Sequence, residues 1–468
     1  MVCAEYAPLA KTGGLADAIA GLSRALGQSG HDVRVLLPKY GRLGAKYNVV
    51  DTLAHKPTGL RFAEVRIDGG PVRVYLLDAP RLFGAEIYAG DARDAARFIA
   101  LAEAGALLGE ALNWPADVVH CHDWHAALTP LFLRARAPLS THGSTRRTVL
   151  TLHNIGYQGV FAASTIDAER YPEVAACAEP GDIEPTVNFL RVGLRSADLL
   201  TTVSPTYARE IQGSEFGMGL EDVLSERSDD LVGILNGVDY DIWDPRVDPF
   251  IDTHYGPSDL TSKAEVKRLL CEELGLPAGT QTPLIGVVTR LVTQKGIDLL
   301  SAALPALLAQ SNAVFALLGS GDPTLEGSLA RFAADRPERV SFTRGYDEAL
   351  AHKILAGADL TLVPSRYEPC GLTQLYALRY GTIPVVRATG GLADTIQHFD
   401  PASGSGNGSV FEHADPQGLI WGVSQALAWF ADRALWPQLV ANAMAADFSW
   451  RRQVGKYVAT YKRLLEAR

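Results

Sequence analysis

The stretch that decides the fold is V-P-S-R-Y-E-P-C-G-L-T-Q-L-Y-A-L-R-Y-G-T-I-P-V-V-R-A-T-G-G-L-A-D-T, residues 363–395. Its pattern predicts a strand over 360–363, a helix over 372–380, a strand over 384–386 and a further helix opened by Thr389-Gly390-Gly391. Both helices begin at the same end of one parallel sheet. Ligands bind at that end of open α/β sheets, where the free N–H groups of helix N-termini attract phosphate.

Glu368 comes just before the first of these helices. A carboxylate accepts hydrogen bonds from two neighbouring hydroxyl groups at once, so beside a phosphate site it suits a sugar. The alternative is that Glu368 only caps the helix and that the glycines only permit tight turns. The rest of the chain decides between the two interpretations.

The size and charge of the chain limit its organisation and its partners. A length of 468 residues with 47% hydrophobic content exceeds what one core usually holds, which predicts two domains. The formal net charge is −10, and no basic block follows a polynucleotide backbone. We therefore expect no nucleic-acid partner.

The cysteines and the apolar runs indicate a compartment. No C-x-x-C pair occurs, which argues against a disulfide framework and against structural zinc and favours a reducing cytoplasm. No apolar run approaches the roughly 20 residues of a membrane span, so we expect no membrane partner and no signal peptide. The cysteines are Cys3, Cys121, Cys177, Cys271 and Cys370.

A glycine-containing loop precedes the first helix. Leu15, Ile19, Leu22 and Leu26 recur at helical spacing directly after Lys11-Thr12-Gly13-Gly14. Glycines let a backbone approach a ligand closely, and a lysine adds a point charge for phosphate. The spacing fits neither a P-loop nor a G-x-G-x-x-G fingerprint, and a surface lysine beside a turn is the alternative.

Two further loops follow predicted strands of the first half. His122-Asp123-Trp124-His125 follows a strand over 117–120, and a metal site is disfavoured there because alternate side chains of a strand point to opposite faces. Asp123 suits a sugar hydroxyl instead, and Trp124 suits packing or stacking. His153 follows a strand over 148–152, either as a site residue or as a structural histidine.

The chain divides around an irregular segment. We predict a first domain over 1–238, which includes a β-hairpin over 60–77 turning at Gly69-Gly70, a linker over 239–262 rich in Asp, Pro and Tyr, and a second domain over 263–447. A helix over 448–468 is expected to return to the first domain. Asp239-Tyr240-Asp241 matches a metal-binding D-x-D pattern, and its place in the linker marks it as a chance match.

The second half restarts the alternation of strands and helices. A strand over 284–288 leads to Arg290 and Lys295, which lie five residues apart on one loop and can reach the same anion. A later strand over 340–342 leads to Gly345-Tyr346.

Together these motifs resemble one family, the bacterial glycogen synthases and plant starch synthases. These are ADP-glucose-dependent, retaining glycosyltransferases of the GT-B fold, an α/β architecture of two Rossmann-like doubly wound parallel-sheet domains facing each other across a cleft. The matching pieces span nearly the whole chain in the order of the family. They are Lys11–Leu15, His122–His125, His153-Asn154, Thr202–Ala208, Asn236–Asp239, Arg290-Leu291 with Gln294–Gly296, Glu368–Leu372 and Thr389–Leu392.

The resemblance implies transfer of glucose from ADP-glucose to the non-reducing end of an α-1,4-glucan such as glycogen, with no cofactor and no metal. It assigns Arg290 and Lys295 to the diphosphate, Glu368 to the glucosyl hydroxyls, and Asp123 and His153 to the sugar pocket. These five are the expected catalytic residues. The expected ADP-glucose-binding residues are Lys11, Gly13, Gly14, Arg290, Lys295, Tyr346, Glu368, Cys370, Gly371, Leu372, Thr373 and Gly391.

Other functions remain open. A UDP-glucose-dependent transferase or a nucleotide-sugar epimerase would share the fold, and a non-catalytic glucan-binding protein is a third possibility. A binding protein has no need of the clamp formed by Lys11, Arg290 and Lys295, which argues against it. Tyr376 occupies the position at which many relatives of the wider superfamily carry a second Glu that holds the ribose.

Overall fold

The computed structural model describes residues 1–43, 47–67, 70–135, 146–277, 279 and 281–466. It divides into two compact units, of which the first comprises Met1–Gly237 with Trp450–Arg468 and the second comprises Val238–Ser449. Each unit has its own largely parallel sheet flanked by helices, as alternating strands and helices predict. Gly69, expected in a hairpin turn, lies outside the described residues.

The first unit begins with a series of short elements. Its strands are β1 (Arg34–Pro38), β2 (Asn48–His55), β3 (Leu60–Arg66), β4 (Arg73–Leu77), β5 (Val118–His122), β6 (Arg147–Leu152), β7 (Val160–Ala162), β8 (Thr186–Asn188), β9 (Leu199–Thr202) and β10 (Leu231–Gly233). Its helices up to this point are α1 (Gly14–Gln28), α2 (Arg93–Ala111), α3 (Asp123–Ala126), α4 (Thr129–Ala135), α5 (Pro172–Ala175), α6 (Phe189–Ser196), α7 (Pro205–Glu210) and α8 (Glu221–Glu226).

Two four-stranded groups make up the main sheet of this unit, in the orders β10-β9-β6-β5 and β1-β4-β3-β2. Val2 pairs in parallel with both Cys121 of β5 and Leu36 of β1, so the first residues of the chain connect the groups. The hairpin predicted over 60–77 is confirmed, since β3 and β4 are antiparallel. Strand β2 was not predicted because it is largely exposed and lacks alternation between buried and exposed residues.

The second unit contains residues 363–395, the stretch that includes Glu368. Its strands are β11 (Leu284–Val288), β12 (Val314–Gly319), β13 (Val340–Arg344), β14 (Leu360–Val363), β15 (Ile383–Arg387) and β16 (Ser409–Phe411). Its helices are α9 (Thr261–Leu274), α10 (Ile297–Gln310), α11 (Pro323–Asp335), α12 (Glu348–Gly357), α13 (Thr373–Arg379), α14 (Gly390–Thr395), α15 (Pro416–Ala431) and α16 (Leu435–Ala445).

The sheet of the second unit has the order β13-β12-β11-β14-β15-β16, and every pair is parallel. This is the doubly wound arrangement, in which the strand order reverses between β11 and β14. The predicted strand over 360–363 is confirmed with the bounds of β14, and the predicted helix over 372–380 is one residue shorter at each end. The loops after β11 and β14 therefore lie at the reversal point of the sheet.

The sequence predicts a linker over 239–262, whereas these residues belong to the second unit. Trp243, Ile251 and Tyr255 from this stretch are buried in the core of the second unit. The hydroxyl of Tyr255 donates to the backbone oxygens of Ala356 and Tyr380. Scattered aromatic residues supply this burial without a helical or strand period, and for this reason the sequence pattern did not reveal it.

The last helix, α17 (Trp450–Glu466), belongs to the first unit. The indole of Trp450 packs against Gly21 of α1, where an added Cβ atom would lie only 1.9 Å from the indole nitrogen. Further along the helix, the hydroxyl of Tyr461 lies 2.7 Å from Nδ1 of His120. The C-terminal residues thus complete the core of the N-terminal unit.

Candidate active site

The charged residues predicted in the second unit lie on neighbouring loops. Arg290 and Lys295 lie on the loop after β11, and Glu368 lies on the loop after β14. Because β11 and β14 are adjacent parallel strands, both loops emerge at the carboxyl edge of the sheet. The structure thus brings together residues that are 73 positions apart in the chain.

Lys295 and Glu368 form an ion pair. The Nζ atom of Lys295 lies 2.6 Å from Oε2 of Glu368, and the hydroxyl of Ser365 donates to the same oxygen at 2.9 Å. The Glu368 side chain is 5% exposed and that of Lys295 is 18% exposed. A buried carboxylate held by a cation and a hydroxyl has a fixed orientation, and no hydrogen bond from the described part of the chain reaches its other oxygen, Oε1.

Close backbone packing holds these loops in place. Gly296 has φ +69°, and a Cβ atom there would lie 2.0 Å from the carbonyl oxygen of Pro364. A Cβ atom on Gly391 would lie 2.1 Å from the carbonyl oxygen of Cys370, and the N–H of Gly391 donates to the carbonyl oxygen of Glu368. Both glycines are therefore required by contact between loops of the site, and not only by turn geometry.

The other predicted residues of this unit lie around the same edge. Cys370 is buried, and Gly371, with φ +73°, leads into Leu372 and Thr373 at the start of α13. Tyr346 is 70% exposed after β13. Tyr376, at the position of the missing second Glu, is buried with its ring stacked on Trp243 at 3.9 Å between ring centroids. Tyr376 is thus part of the aromatic core of the second unit.

In the first unit, a buried carboxylate holds the loop that carries Lys11. Glu5 accepts hydrogen bonds from the N–H and the hydroxyl of Thr12, at 2.6 and 2.8 Å, and from the N–H of Gly13 at 3.3 Å. Lys11 lies 3.0 Å from Asp17 in the first turn of α1. Helix α1 begins at Gly14, and a Cβ atom added to Gly13 would meet nothing within 4 Å. Glu5 therefore holds the loop in place, and the space on the Cβ side of Gly13 is open.

Asp123 holds the backbone of the loop that follows β6. One carboxylate oxygen accepts the N–H of His153 at 2.6 Å and that of Asn154 at 3.4 Å. Asp123 has φ +56°, a left-handed conformation that costs a residue with a side chain about 1–3 kcal/mol. Burial raises the pKa of Asp123 to about 7. Strain and a raised pKa in one residue are frequent at functional sites.

The histidines of this region separate into two groups. His122 and His153 contact each other, with Nδ1 and Nε2 3.1 Å apart, whereas His125 packs between the rings of Trp124 and Tyr88. Burial lowers the pKa values of His125 and His153 to about 3. Within the described residues, no group of three or more His, Cys, Asp or Glu side chains is placed to hold a metal ion.

Three further residues organise the candidate site of the first unit without having been predicted from the sequence, namely Glu5, Tyr88 and His122. The Tyr88 hydroxyl donates to Glu5 at 2.5 Å, which joins this tyrosine to the Lys11 loop. Neither Glu5 nor Tyr88 belongs to a spacing pattern, so no sequence signal identifies them. His122 stood in the quoted histidine cluster, but its contact with His153 depends on strand pairing.

Two properties of the whole chain bear on its class. Each of the five cysteines is free. Across the described ranges, no helix combines the length and the apolar character that crossing a membrane requires.

Comparisons with known proteins cover nearly the whole chain. Residues 1–226 match the starch synthase catalytic domain family, and residues 275–430 match the family described as glycosyl transferases group 1. The chain is 44% identical to the glycogen synthase of Anaeromyxobacter dehalogenans, covering 100% of this chain and 99% of that protein. It is 42% identical to the glycogen synthase of Thioalkalivibrio sulfidiphilus over 98% of each.

Among solved structures, the catalytic domain of starch synthase IV from Arabidopsis thaliana, bound to ADP and acarbose, matches with a TM-score of 0.88. The identity is 34%, and 98% of each chain is covered. Sucrose-phosphate synthase from Thermosynechococcus elongatus matches with a TM-score of 0.62 at 19% identity, covering 98% of this chain and 95% of that one. The second match shows a shared fold alone.

Proposed function

Because the chain belongs to the family of bacterial glycogen synthases and plant starch synthases, and is a glucosyltransferase of the GT-B fold, we propose that its donor is ADP-glucose. The acceptor is the non-reducing end of an α-1,4-glucan, and the configuration at the anomeric carbon is retained. The related starch synthase IV was bound to ADP, which supports an adenine nucleotide. The observation that carries the proposal is the ion pair between Lys295 and the buried Glu368.

The second unit supplies the groups for the charged part of the donor. Lys295 and Arg290 hold the diphosphate, and the N–H groups of Leu372 and Thr373 lie at the start of α13 beside them. Gly391 allows the close approach of backbone there, since its own N–H is donated to the carbonyl oxygen of Glu368. Glu368, whose Oε2 is already held by Lys295 and Ser365, accepts hydrogen bonds from glucosyl hydroxyls through its other oxygen. Cys370 and Gly371 shape the wall of this pocket, and Tyr346 stacks near the adenine.

The first unit supplies groups for the sugar and one further cation. Lys11 contacts the donor phosphate, with Gly13 and Gly14 allowing close backbone approach. Asp123 and His153 line the sugar pocket, and the backbone carbonyl of His153 faces the reacting carbon. The carboxylate of Asp123 orients that backbone, since it accepts the N–H of His153 itself.

Charge development explains how these residues accelerate the reaction. Cleavage of the bond between glucose and diphosphate leaves negative charge on the departing ADP. Cations fixed beside it stabilise charge that appears only in the transition state, and such interactions raise kcat. The lysine and arginine side chains provide this stabilisation, so the proposal requires no metal ion and no cofactor.

Retention is proposed to occur by attack on the same face from which ADP departs, with the leaving group assisting. No carboxylate is assigned as a nucleophile, because Glu368 is held by Lys295 and Asp123 by backbone N–H groups. Mass spectrometry of enzyme quenched during turnover should show no covalent glucosyl adduct. An adduct on either carboxylate would contradict this part of the proposal.

The proposed donor and acceptor are tested by incorporation of radiolabelled glucose into glycogen. ADP-glucose and UDP-glucose are compared at equal concentrations, each with and without a chelator and each without acceptor. We expect incorporation from ADP-glucose that is insensitive to chelation. Faster incorporation from UDP-glucose would favour the UDP-dependent alternative, and conversion of the donor sugar without acceptor would favour an epimerase.

The proposed compartment is the cytoplasm, since five free cysteines suit a reducing environment.

A further inference from the structure

His122 and His153 form a hydrogen bond in which only one ring can donate. His122 is the last residue of β5, and His153 follows the last residue of β6, the strand paired in parallel with β5. The Nδ1 atom of His122 lies 3.1 Å from the Nε2 atom of His153. A neutral imidazole carries a single N–H, so the donor of this bond determines where the other ring keeps its proton.

The remaining nitrogen of His122 identifies the donor. Its Nε2 atom is buried and has no hydrogen-bond partner in the described part of the chain. If His153 donated, His122 would have to carry its proton on Nε2, as a buried N–H without an acceptor. Orphaned buried N–H groups are rarer in proteins than buried acceptors with an unused lone pair. His122 is therefore the donor, through Nδ1.

The surroundings keep both rings neutral. The ring of His120 lies against that of His122, with 4.2 Å between centroids, and is itself held by Tyr461 of α17 and Thr151 of β6. Burial holds the pKa of His122 well below its ordinary value, and the neighbouring histidines act in the same direction. At neutral pH each ring therefore carries one N–H, and only the N–H of His122 lies in the hydrogen bond between the two rings.

We propose that His122 is a positioning residue that fixes the tautomer of His153, so that His153 keeps its proton on Nδ1 and presents that N–H as a donor to the glucosyl unit. The contact with the glucosyl unit rests on the proposed function. The tautomer of His153 does not, because it follows from the hydrogen bond with His122. Asp123 fixes the backbone of His153, and His122 fixes its ring. The two neighbouring residues thus orient His153 independently.

The tautomer is measured directly in the wild-type protein. A long-range ¹H–¹⁵N spectrum of protein labelled with ¹⁵N-histidine distinguishes Nδ1–H from Nε2–H rings, and comparison with H153Q assigns the signals of His153. We expect the Nδ1–H form. The Nε2–H form in the wild-type protein would overturn the proposal, whether or not the protein transfers glucose, so this outcome is separate from failure of the proposed function.

Variants then test the consequence for catalysis. H122L removes the donor and should lower kcat by about 10- to 100-fold, as expected for a displaced reacting group, with a smaller change in the KM for donor. H122N places an amide N–H where Nδ1 was and should restore most of the activity. H55N is the control, because His55 is a buried histidine of the same unit held by Thr58 and Glu110. H122L with unchanged kcat, or H122N as impaired as H122L, would contradict the proposal.

Discussion

The candidate site residues of the two units are held in place in different ways. In the second unit the central contact is an ion pair, Lys295 with Glu368, beside the exposed Arg290. In the first unit there are two central contacts. The carboxylate of Asp123 accepts the backbone N–H of His153, and the neutral imidazole of His122 contacts that of His153. Fixed charge suits a diphosphate, whereas directed neutral hydrogen bonds suit sugar hydroxyls. The difference indicates that the second unit is suited to bind the diphosphate and the first unit to bind sugar hydroxyls.

The largest effect is expected from removing charge in the second unit. K295A should lower kcat at saturating donor by about 10²-fold or more, by analogy with the loss of one fixed donor to a developing charge. R290A should act similarly. Initial rates at saturating ADP-glucose measure the effect.

A matched control exists in the same unit. Lys353 forms a 2.7 Å ion pair with Glu273 outside the site, and K353A should leave kcat unchanged. If K295A kept nearly full turnover, the charge assigned to the second unit would be wrong.

The carboxylate of the first unit should produce a smaller effect that depends on pH. Burial raises the pKa of Asp123 to about 7, and the ionised form accepts the backbone N–H groups of His153 and Asn154 more strongly than the protonated form does. Wild-type kcat/KM should therefore rise as the pH increases through about 7. D123N should lower kcat/KM and abolish this rise, as measured by pH–rate profiles between pH 5.5 and 8.5.

D198N provides the comparison, because Asp198 accepts hydrogen bonds from Thr148 within the same sheet but lies outside the site. Its profile should follow that of the wild type. A D123N enzyme that retained the rise near pH 7 would show that another group titrates.

Substitution of two glycines distinguishes an effect on stability from an effect on donor binding. In G391A the new Cβ atom would lie 2.1 Å from the Cys370 carbonyl oxygen, so we expect destabilisation of about 1–3 kcal/mol, as for overpacking. In G13A the new Cβ atom meets nothing within 4 Å, so stability should change by less than about 1 kcal/mol. The KM for donor should nevertheless rise if the donor approaches the loop at Gly13.

Urea unfolding and donor KM are measured for both variants. Equal destabilisation in the two would contradict the packing difference, and an unchanged donor KM in G13A would remove Gly13 from the proposed binding residues.

The smallest effect distinguishes the units by their response to acid. Burial lowers the folded-state pKa of four histidines of the first unit below the ordinary value of about 6.5, so in a window that opens near pH 6.5 and extends into acid the unfolded state binds protons that the folded state does not. This contribution to stability is therefore lost as the pH falls through that window. The four residues are His120, His122, His125 and His153.

Other groups shift this balance less in the same window. Asp123, with its raised pKa, opposes the loss as a single group. In the second unit Lys263, whose pKa is lowered to about 7 by burial, loses its contribution between about pH 10.5 and 7, before the histidine window begins. The carboxylates Asp244 and Asp248 have lowered pKa values, and their contribution is lost only in stronger acid.

Hydrogen exchange read by mass spectrometry, corrected for the intrinsic rate at each pH, resolves the two units. Protection in the first unit should decline between pH 6.5 and 4 while protection in the second unit holds. A decline in the second unit first would reverse the comparison.

Local sequence patterns predicted the elements that have a clear period. The strand at 360–363 and the hairpin at 60–77 were found because apolar residues recur at strand spacing or alternate. The exposed strand β2 and the buried segment containing Trp243 were missed because neither has such a period. A periodic pattern reveals an element only when one of its faces is buried. Strand β2 has almost no buried face, and the segment containing Trp243 is buried without a regular spacing.

The order of strands and helices, the family motifs, and the loops that carry the candidate site residues follow from the amino-acid sequence alone. These residues are Arg290, Lys295, Glu368, Asp123 and His153. Which side chains become partners follows from the fold. The pairing of Lys295 with Glu368 spans 73 positions and depends on β11 lying beside β14. The contact of His122 with His153 depends likewise on β5 lying beside β6. Motifs record local chain geometry, whereas partners at a sheet edge are chosen by strand pairing, which brings distant loops within hydrogen-bond distance.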